Sequence, residues 1–407
     1  MSLERQQTNL GLIGYLFIGT GAVLVPSIMP FITTEFAASG RTLAAIGLIF
    51  PAGAVGGILG NLLSGVGSDV IGRRLLVWLS ALILAAALAL AALAKLWPLF
   101  LMGFIVVSMA QAALSTGINA MITDANRTSR ARALNTLHGV YGVGATISPL
   151  VIGYLLQRGL PWRWALGGTG AIWLVYGLVT WFTYRTAMAV EQVKKKQKLE
   201  LTMLRERPFL ALCLIGFIYN GVAVSLLGWV AVIMQQSSDF ASGLPAGLSI
   251  LFSVSMISVF YVALTIGRFV CAAYTERIGY AKTLLVLAVG VTLSYPLVVL
   301  GIHSLLVVIG VFLTGLSFSG LFPTVLAYGS RLYPEQSGTL SGMLSIALTI
   351  GSMLPPLWTG VIASYWGFQL ALGLNYLLVL PLIFLALYLG RVEKRRSAVQ
   401  PLAVVVP

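Results

Sequence analysis

Long apolar runs, cut by short polar or charged turns, organise this chain from end to end. Runs of about 20 residues fall near 10–31, 43–66, 75–94, 98–122, 133–155, 164–184, 209–234, 247–273, 283–301, 304–328, 338–362 and 368–390. A bilayer core about 30 Å thick needs about 20 residues at 1.5 Å each. Each run therefore predicts one membrane-spanning helix, twelve in all. The connections are short except the one holding Lys194, Lys195, Lys196 and Lys198. It lies between the sixth and seventh runs. This predicts a six-helix bundle over 1–184, a basic linker over 185–207, a second bundle over 208–390 and a tail over 391–407.

The polar punctuation repeats with a constant offset. Gly60 matches Gly267, Asp69 matches Glu276, Gly72 matches Gly279, Pro149 matches Pro356 and Gly153 matches Gly360, each pair 207 apart. A membrane chain of two similar halves is built to rock one half against the other around a central site. The fold expected is an all-α membrane protein, its twelve helices in two pseudo-symmetric six-helix bundles.

Composition agrees with that pattern. Of the 407 residues 58% are hydrophobic and 9% are charged, against about 25% charged in soluble domains. The net charge of +14 does not point to nucleic acid, because the basic residues sit in short loops. With the N-terminus cytoplasmic, 20 of the 25 Lys and Arg fall on the inner side and four (Arg41, Lys95, Arg158, Arg163) on the outer. That bias predicts cytoplasmic termini in the plasma (inner) membrane. The run over 10–31 is too long for a cleaved signal and reads as a retained span. Cys213 and Cys271 lie inside apolar runs, where cysteine behaves as a small hydrophobe. No metal, cofactor or disulfide framework is expected, and no catalytic constellation of nucleophile and base occurs around the two histidines, His138 and His303. Glycines such as Gly53, Gly56, Gly57 and Gly60 are spaced for close helix approach.

The turn Gly65-Val-Gly-Ser-Asp69-Val-Ile-Gly72-Arg73-Arg74 resembles the signature loop of the major facilitator superfamily, with Val70 where the family usually has a basic residue. Cys271-Ala-Ala-Tyr-Thr-Glu276-Arg277-Ile-Gly279 is a partial echo. Span five (Asn135, His138, Tyr141, Gly142, Gly144, Pro149) and span ten (Gly315 to Thr324, with Phe322) are similar to the fucose/glucose-type sugar symporter branch. Span seven departs from it: the run Tyr219-Asn220-Gly221-Val222-Ala223, with Trp229 beyond, has alanine where the branch often has glutamate. The resemblance implies alternating access. It also implies that Asp69 docks against the start of span eleven when the inner side closes. By the 207 offset, Glu276 is expected at the start of span five, beside Arg132. Gly65, Asp69, Gly72, Arg73, Arg74, Arg132, Glu276 and Arg277 form the expected gating set. Arg268 either joins that latch or snorkels to the inner interface.

None of the eleven acidic residues lies mid-span, which argues against a carboxylate relay, since a membrane charge is costly and kept for ion work. His138 is the titrating side chain placed to couple protons; the alternative is a neutral histidine bonded to a neighbouring helix or to solute. Polar and aromatic residues facing the cavity, with Trp229 towards the outer side, are the expected solute contacts: Gln111, Asn135, His138, Tyr141, Tyr219, Asn220, Trp229, Tyr261, Ser319 and Phe322. Amides fix hydroxyls and aromatic faces cover C–H surface, which suits a sugar. The same amides can instead bridge helices, and Trp229 can be an interfacial residue. The expected function is transport of a small neutral polar solute, with a drug or lipid exporter as the alternative. The expected partners are the solute, the bilayer and a coupling ion such as the proton, around a monomer.

Overall fold

The computed structural model describes residues 3–126, 130–184, 202–236, 246–301, 304–333 and 336–399. Most of the basic linker (185–201) and the end of the tail (400–407) lie outside the described residues. So do the side chains of Asp69, Arg132 and Asn135 and the surroundings of Gly65. The described elements are α1 (Leu3–Ala38), α2 (Leu43–Gly47), α3 (Ile49–Val70), α4 (Arg73–Leu93), α5 (Trp97–Ala125), α6 (Arg130–Gln157), α7 (Arg163–Tyr184), α8 (Arg207–Gln236), α9 (Ala246–Ile278), α10 (Tyr280–Leu300), α11 (Ser304–Phe318), α12 (Leu321–Leu332), α13 (Ser337–Val379) and α14 (Pro381–Val399), with a 3-10 turn at Thr202–Arg205. Helices are what lipid demands, because every backbone N–H and C=O is paired within its own segment.

Among the described residues eleven stretches are long and apolar enough to cross a membrane, and the last, Leu340–Arg395, is 56 residues long. One helix of that length would run about 84 Å, far beyond a core about 30 Å thick. It is two spans. Gly367, at φ 83° and ψ 165°, breaks the helix inside α13, between the eleventh and twelfth runs. A second break, at Gly320, separates α11 from α12 within span ten.

Packing divides the chain into two compact units: Met1–Lys196 with Leu227–Tyr261, and Gln197–Leu226 with Val262–Pro407. In the first, α1 packs on α5, α6 and α7, while α3 and α4 pack on α5. The end of α8 and the start of α9 join this unit through side-chain fit. The Trp229 ring lies 5.7 Å from that of Phe50, and the Cβ position at Gly153 faces Leu251 at 3.2 Å and Val254 at 3.3 Å. In the second unit α10 packs on α11, α12, α13 and α14. The repeat sets where the sequence doubles; these units mark where the chain packs.

The doubling is visible inside each unit. A Cβ at Gly60 would meet the carbonyl oxygen of Met109, and one at Gly267 would meet that of Leu316; 267 − 60 and 316 − 109 both equal 207. Gly144 approaches the Leu16 carbonyl of α1, and Gly351, 207 residues on, approaches the Phe217 carbonyl of α8. Gly72 (φ 82°) begins α4 and Gly279 (φ 96°) begins α10, both at positive φ. Two copies of one helix-packing scheme are therefore built from glycines whose missing side chains let backbones touch.

Candidate functional site

The first unit gathers a polar cluster inside its apolar helices. Gln111, Ser115 and Asn119 follow one another at four-residue intervals and so share one face of α5. Opposite them, Tyr15 of α1 is 2% exposed. Its hydroxyl lies 3.0 Å from Ser115 Oγ and accepts from Asn119 Nδ2. The His138 ring of α6 meets the Tyr15 ring edge-on at 5.6 Å. Gln111 lies against α1, its Oε1 2.9 Å from the Cβ position at Gly21. Tyr141 presents its carbonyl to Gly19. Buried Asn119 Oδ1 has no hydrogen-bond partner. An amide oxygen kept dry and unpaired is costly, and it is answered by a donor such as a hydroxyl. Of the residues expected from sequence, Gln111, His138 and Tyr141 come together around α1, while the Asn135 side chain is outside the described set.

In the second unit the expected residues separate by role. Tyr219 of α8 is half-buried and packs edge-on against Phe318 of α11 at 5.6 Å. Asn220 Nδ2 donates to the Leu348 carbonyl of α13 at 2.7 Å, so this amide bridges helices. Ser319 is 1% exposed and donates to the Leu316 carbonyl at 2.6 Å; it lies in the tight α9–α11 contact at Gly267. Phe322, on α12, is half-buried. Trp229 and Tyr261 belong to the first unit. Trp229 is fully buried against Phe50, and Tyr261 packs on Phe260 at 5.9 Å.

The charged turns are pinned locally. Arg73 pairs with Asp124 and donates to the Ala120 carbonyl at 3.0 Å, fixing the start of α4 to α5. With its amide turned to accept, Gln7 of α1 takes Arg74 Nε at 2.8 Å and Nη2 at 3.1 Å. Glu276 accepts the Tyr280 hydroxyl at 2.5 Å, and Arg277 is exposed. Gly72 supplies the positive φ that starts α4. At the other end of the first unit, Glu35 takes Arg163 at 2.5 Å and Trp162 Nε1 at 2.8 Å.

Sequence reasoning missed Tyr15, Ser115 and Asn119. Four-residue spacing from Gln111 was a usable signal for the last two; nothing in the apolar run around Tyr15 marked it. Also missed was a fully satisfied buried network: Asn375 donates to Ser225 Oγ and Thr359 Oγ1, both at 2.8 Å, and accepts from Trp358 Nε1 at 2.7 Å. A cavity of about 390 Å³ opens between α1, α6 and α7, lined by Leu, Ile and Val with Thr20, Ser148 and Thr169. Among the described residues no three potential metal ligands cluster.

A family model described as Major Facilitator Superfamily matches residues 11–257 and 247–404. The chain is 27% identical over 369 residues to the "uncharacterized MFS-type transporter YfkL" of Bacillus subtilis (strain 168), covering 87% of this chain and 88% of that protein. It is 23% identical over 433 residues to the glucose transporter GlcP of Staphylococcus epidermidis (strain ATCC 12228 / FDA PCI 1200), covering 95% and 94%. Among solved structures, the fold is similar to the nucleoside transporter NupG, with TM-score 0.74, 15% identity and coverage of 95% of this chain and 99% of that one. It is similar too to a bacterial homologue of the human lysosomal transporter Spinster, with TM-score 0.74, 15% identity and coverage of 96% and 98%.

Proposed function

The chain belongs to the Major Facilitator Superfamily of membrane transporters, and on that premise we propose that it carries a small polyhydroxylated solute of the sugar class by alternating access. The observation that carries this reading is the Tyr15–Ser115–Asn119 cluster, with its unpaired buried amide oxygen and the adjoining His138 ring. Hydroxyl groups of a sugar both donate and accept, and they match an array of amide, phenol and imidazole. Similarity to a glucose transporter along nearly the whole chain supports the same class. His138 is the residue proposed to couple protons, because histidine changes charge in the physiological pH range. Asp69, Arg132 and Glu276 are proposed as gating contacts, and both termini are proposed to face the cytoplasm of an inner membrane.

The apolar lining of the 390 Å³ cavity favours a second reading, export of an amphipathic molecule. One experiment separates the two. Thermal stabilisation of the purified protein is measured with sugars and with amphipathic cations, for the wild type and for Asn119→Leu. The proposal expects stabilisation by a sugar that Asn119→Leu loses. Stabilisation by the cations alone supports the exporter instead.

A further inference from the structure

Among the described residues Arg268 forms no ion pair. The candidate span Ser249–Ile278 is 30 residues long, and Arg268 is the twentieth of them. With that span centred on the bilayer, Arg268 lies about 7 Å from the midplane at 1.5 Å per residue, well inside a core about 30 Å thick. Its Nε is buried without a hydrogen-bond partner. The described acids of the same unit are engaged elsewhere. Glu206 takes the Tyr333 hydroxyl at 2.8 Å, Glu276 takes Tyr280, and Glu393 lies 3.9 Å from Arg331.

The internal repeat shows why the partner is missing. Position 268 corresponds to Asn61, since 268 − 61 is 207. In the first unit Asn61 Oδ1 accepts from Thr116 Oγ1 at 2.9 Å, closing a neutral pair between α3 and α5. The residue 207 after Thr116 is Pro323, which has no side-chain donor or acceptor and no N–H. One half has a satisfied amide–hydroxyl pair; at the two equivalent positions the other has a cation and a proline. A guanidinium presents donors in a rigid fork suited to a carboxylate or phosphate. Of the seven buried side-chain atoms left unpaired among the described residues, Arg268 Nε alone belongs to a charged group, and an ionisable residue within a membrane span marks function by default.

We propose that Arg268 holds an oxyanion, carboxylate or phosphate, borne by the transported solute. Snorkelling alone fits less well, because it would free the whole head group, whereas Nε is enclosed. The inference rests on the reading of the chain as a carrier of a polyhydroxylated solute and adds a preference for a sugar acid or sugar phosphate over the neutral sugar.

The test measures affinities of the full-length protein in neutral detergent for D-glucose, D-glucuronate and inorganic phosphate. It uses the wild type, Arg268→Gln and Arg268→Lys. The wild type is expected to prefer glucuronate over glucose by about tenfold or more. Arg268→Gln brings that ratio to about one, and Arg268→Lys keeps part of it because lysine retains charge without the fork. A variant that elutes and melts as the wild type does has folded, and its ratio then counts. Equal affinity for glucose and glucuronate in the wild type overturns the inference and leaves the sugar reading standing. Phosphate binding that Arg268→Gln abolishes, with no response to either sugar, supports the anion site and sinks the sugar reading. A parallel arm in nanodiscs compares phosphatidylglycerol with phosphatidylcholine. Sensitivity of Arg268→Gln to lipid charge, without any change in solute preference, assigns the oxyanion to a lipid headgroup and overturns the proposal.

Discussion

Asn375 shows what an amide buried in a bilayer protein requires. It is fully buried, and its oxygen and both N–H groups are engaged by Trp358, Ser225 and Thr359. Asn375→Leu leaves three polar partners to find others, each orphan costing about 1–3 kcal/mol if it fails. A clear fall in the thermal midpoint in detergent is expected; an unchanged midpoint would show that the network adds nothing. Asn119 is the opposite case, an amide with one atom left over. It is therefore a better binding candidate than Asn220, which is spent on bridging to Leu348. His138→Gln keeps hydrogen-bonding capacity but cannot take a proton, so it is expected to abolish stimulation of uptake by an inward acid gradient. Stimulation equal to the wild type would remove His138 from coupling. At this scale the sequence was readable where polarity interrupts an apolar run, as at Gln111 and His138. It was unreadable at Tyr15, whose aromatic ring fits an apolar run and whose role comes from the helix it meets.

Helix pairs here are set by glycine, and neighbouring glycines can be told apart. A Cβ at Gly60 strikes the Met109 carbonyl, while one at Gly57 meets nothing within 4 Å. Gly60→Ala and Gly267→Ala are each expected to destabilise by about 1–3 kcal/mol through overpacking, and Gly57→Ala to be neutral or slightly stabilising because alanine is the better helix former. Equal melting behaviour of all three variants would contradict close packing at these positions. Gly72, at φ 82°, is a different case. Gly72→Ala forces an L residue to a positive φ with extended ψ, a region that only glycine enters readily, at about 1–3 kcal/mol, with a lower midpoint as the readout. Hydropathy alone located the spans, including the break at Gly367 that falls between the last two apolar runs. It did not foresee residues 227–261 packing in the first unit, because Trp229 on Phe50 is a matter of side-chain shape.

Across the whole molecule, the repeat of 207 residues governs the backbone contacts and the turns, and the departures from it carry the chemistry. His138, Arg268 and the Tyr15 cluster have no like-for-like counterpart 207 residues away. Charge asymmetry fixes the expected orientation. With Cys213 and Cys271 replaced by serine, an impermeant maleimide is expected to label Arg158→Cys but not Arg277→Cys on intact cells; the reverse pattern would invert the topology. The proposed carrier exposes one solute site alternately, which a channel or a passive binder does not do. Counterflow of labelled glucose into proteoliposomes measures that directly. Liposomes preloaded with unlabelled glucose are expected to accumulate label transiently above equilibrium, and Asn119→Leu to erase the overshoot. Label that only equilibrates, at the same rate in loaded and empty liposomes, would contradict the account.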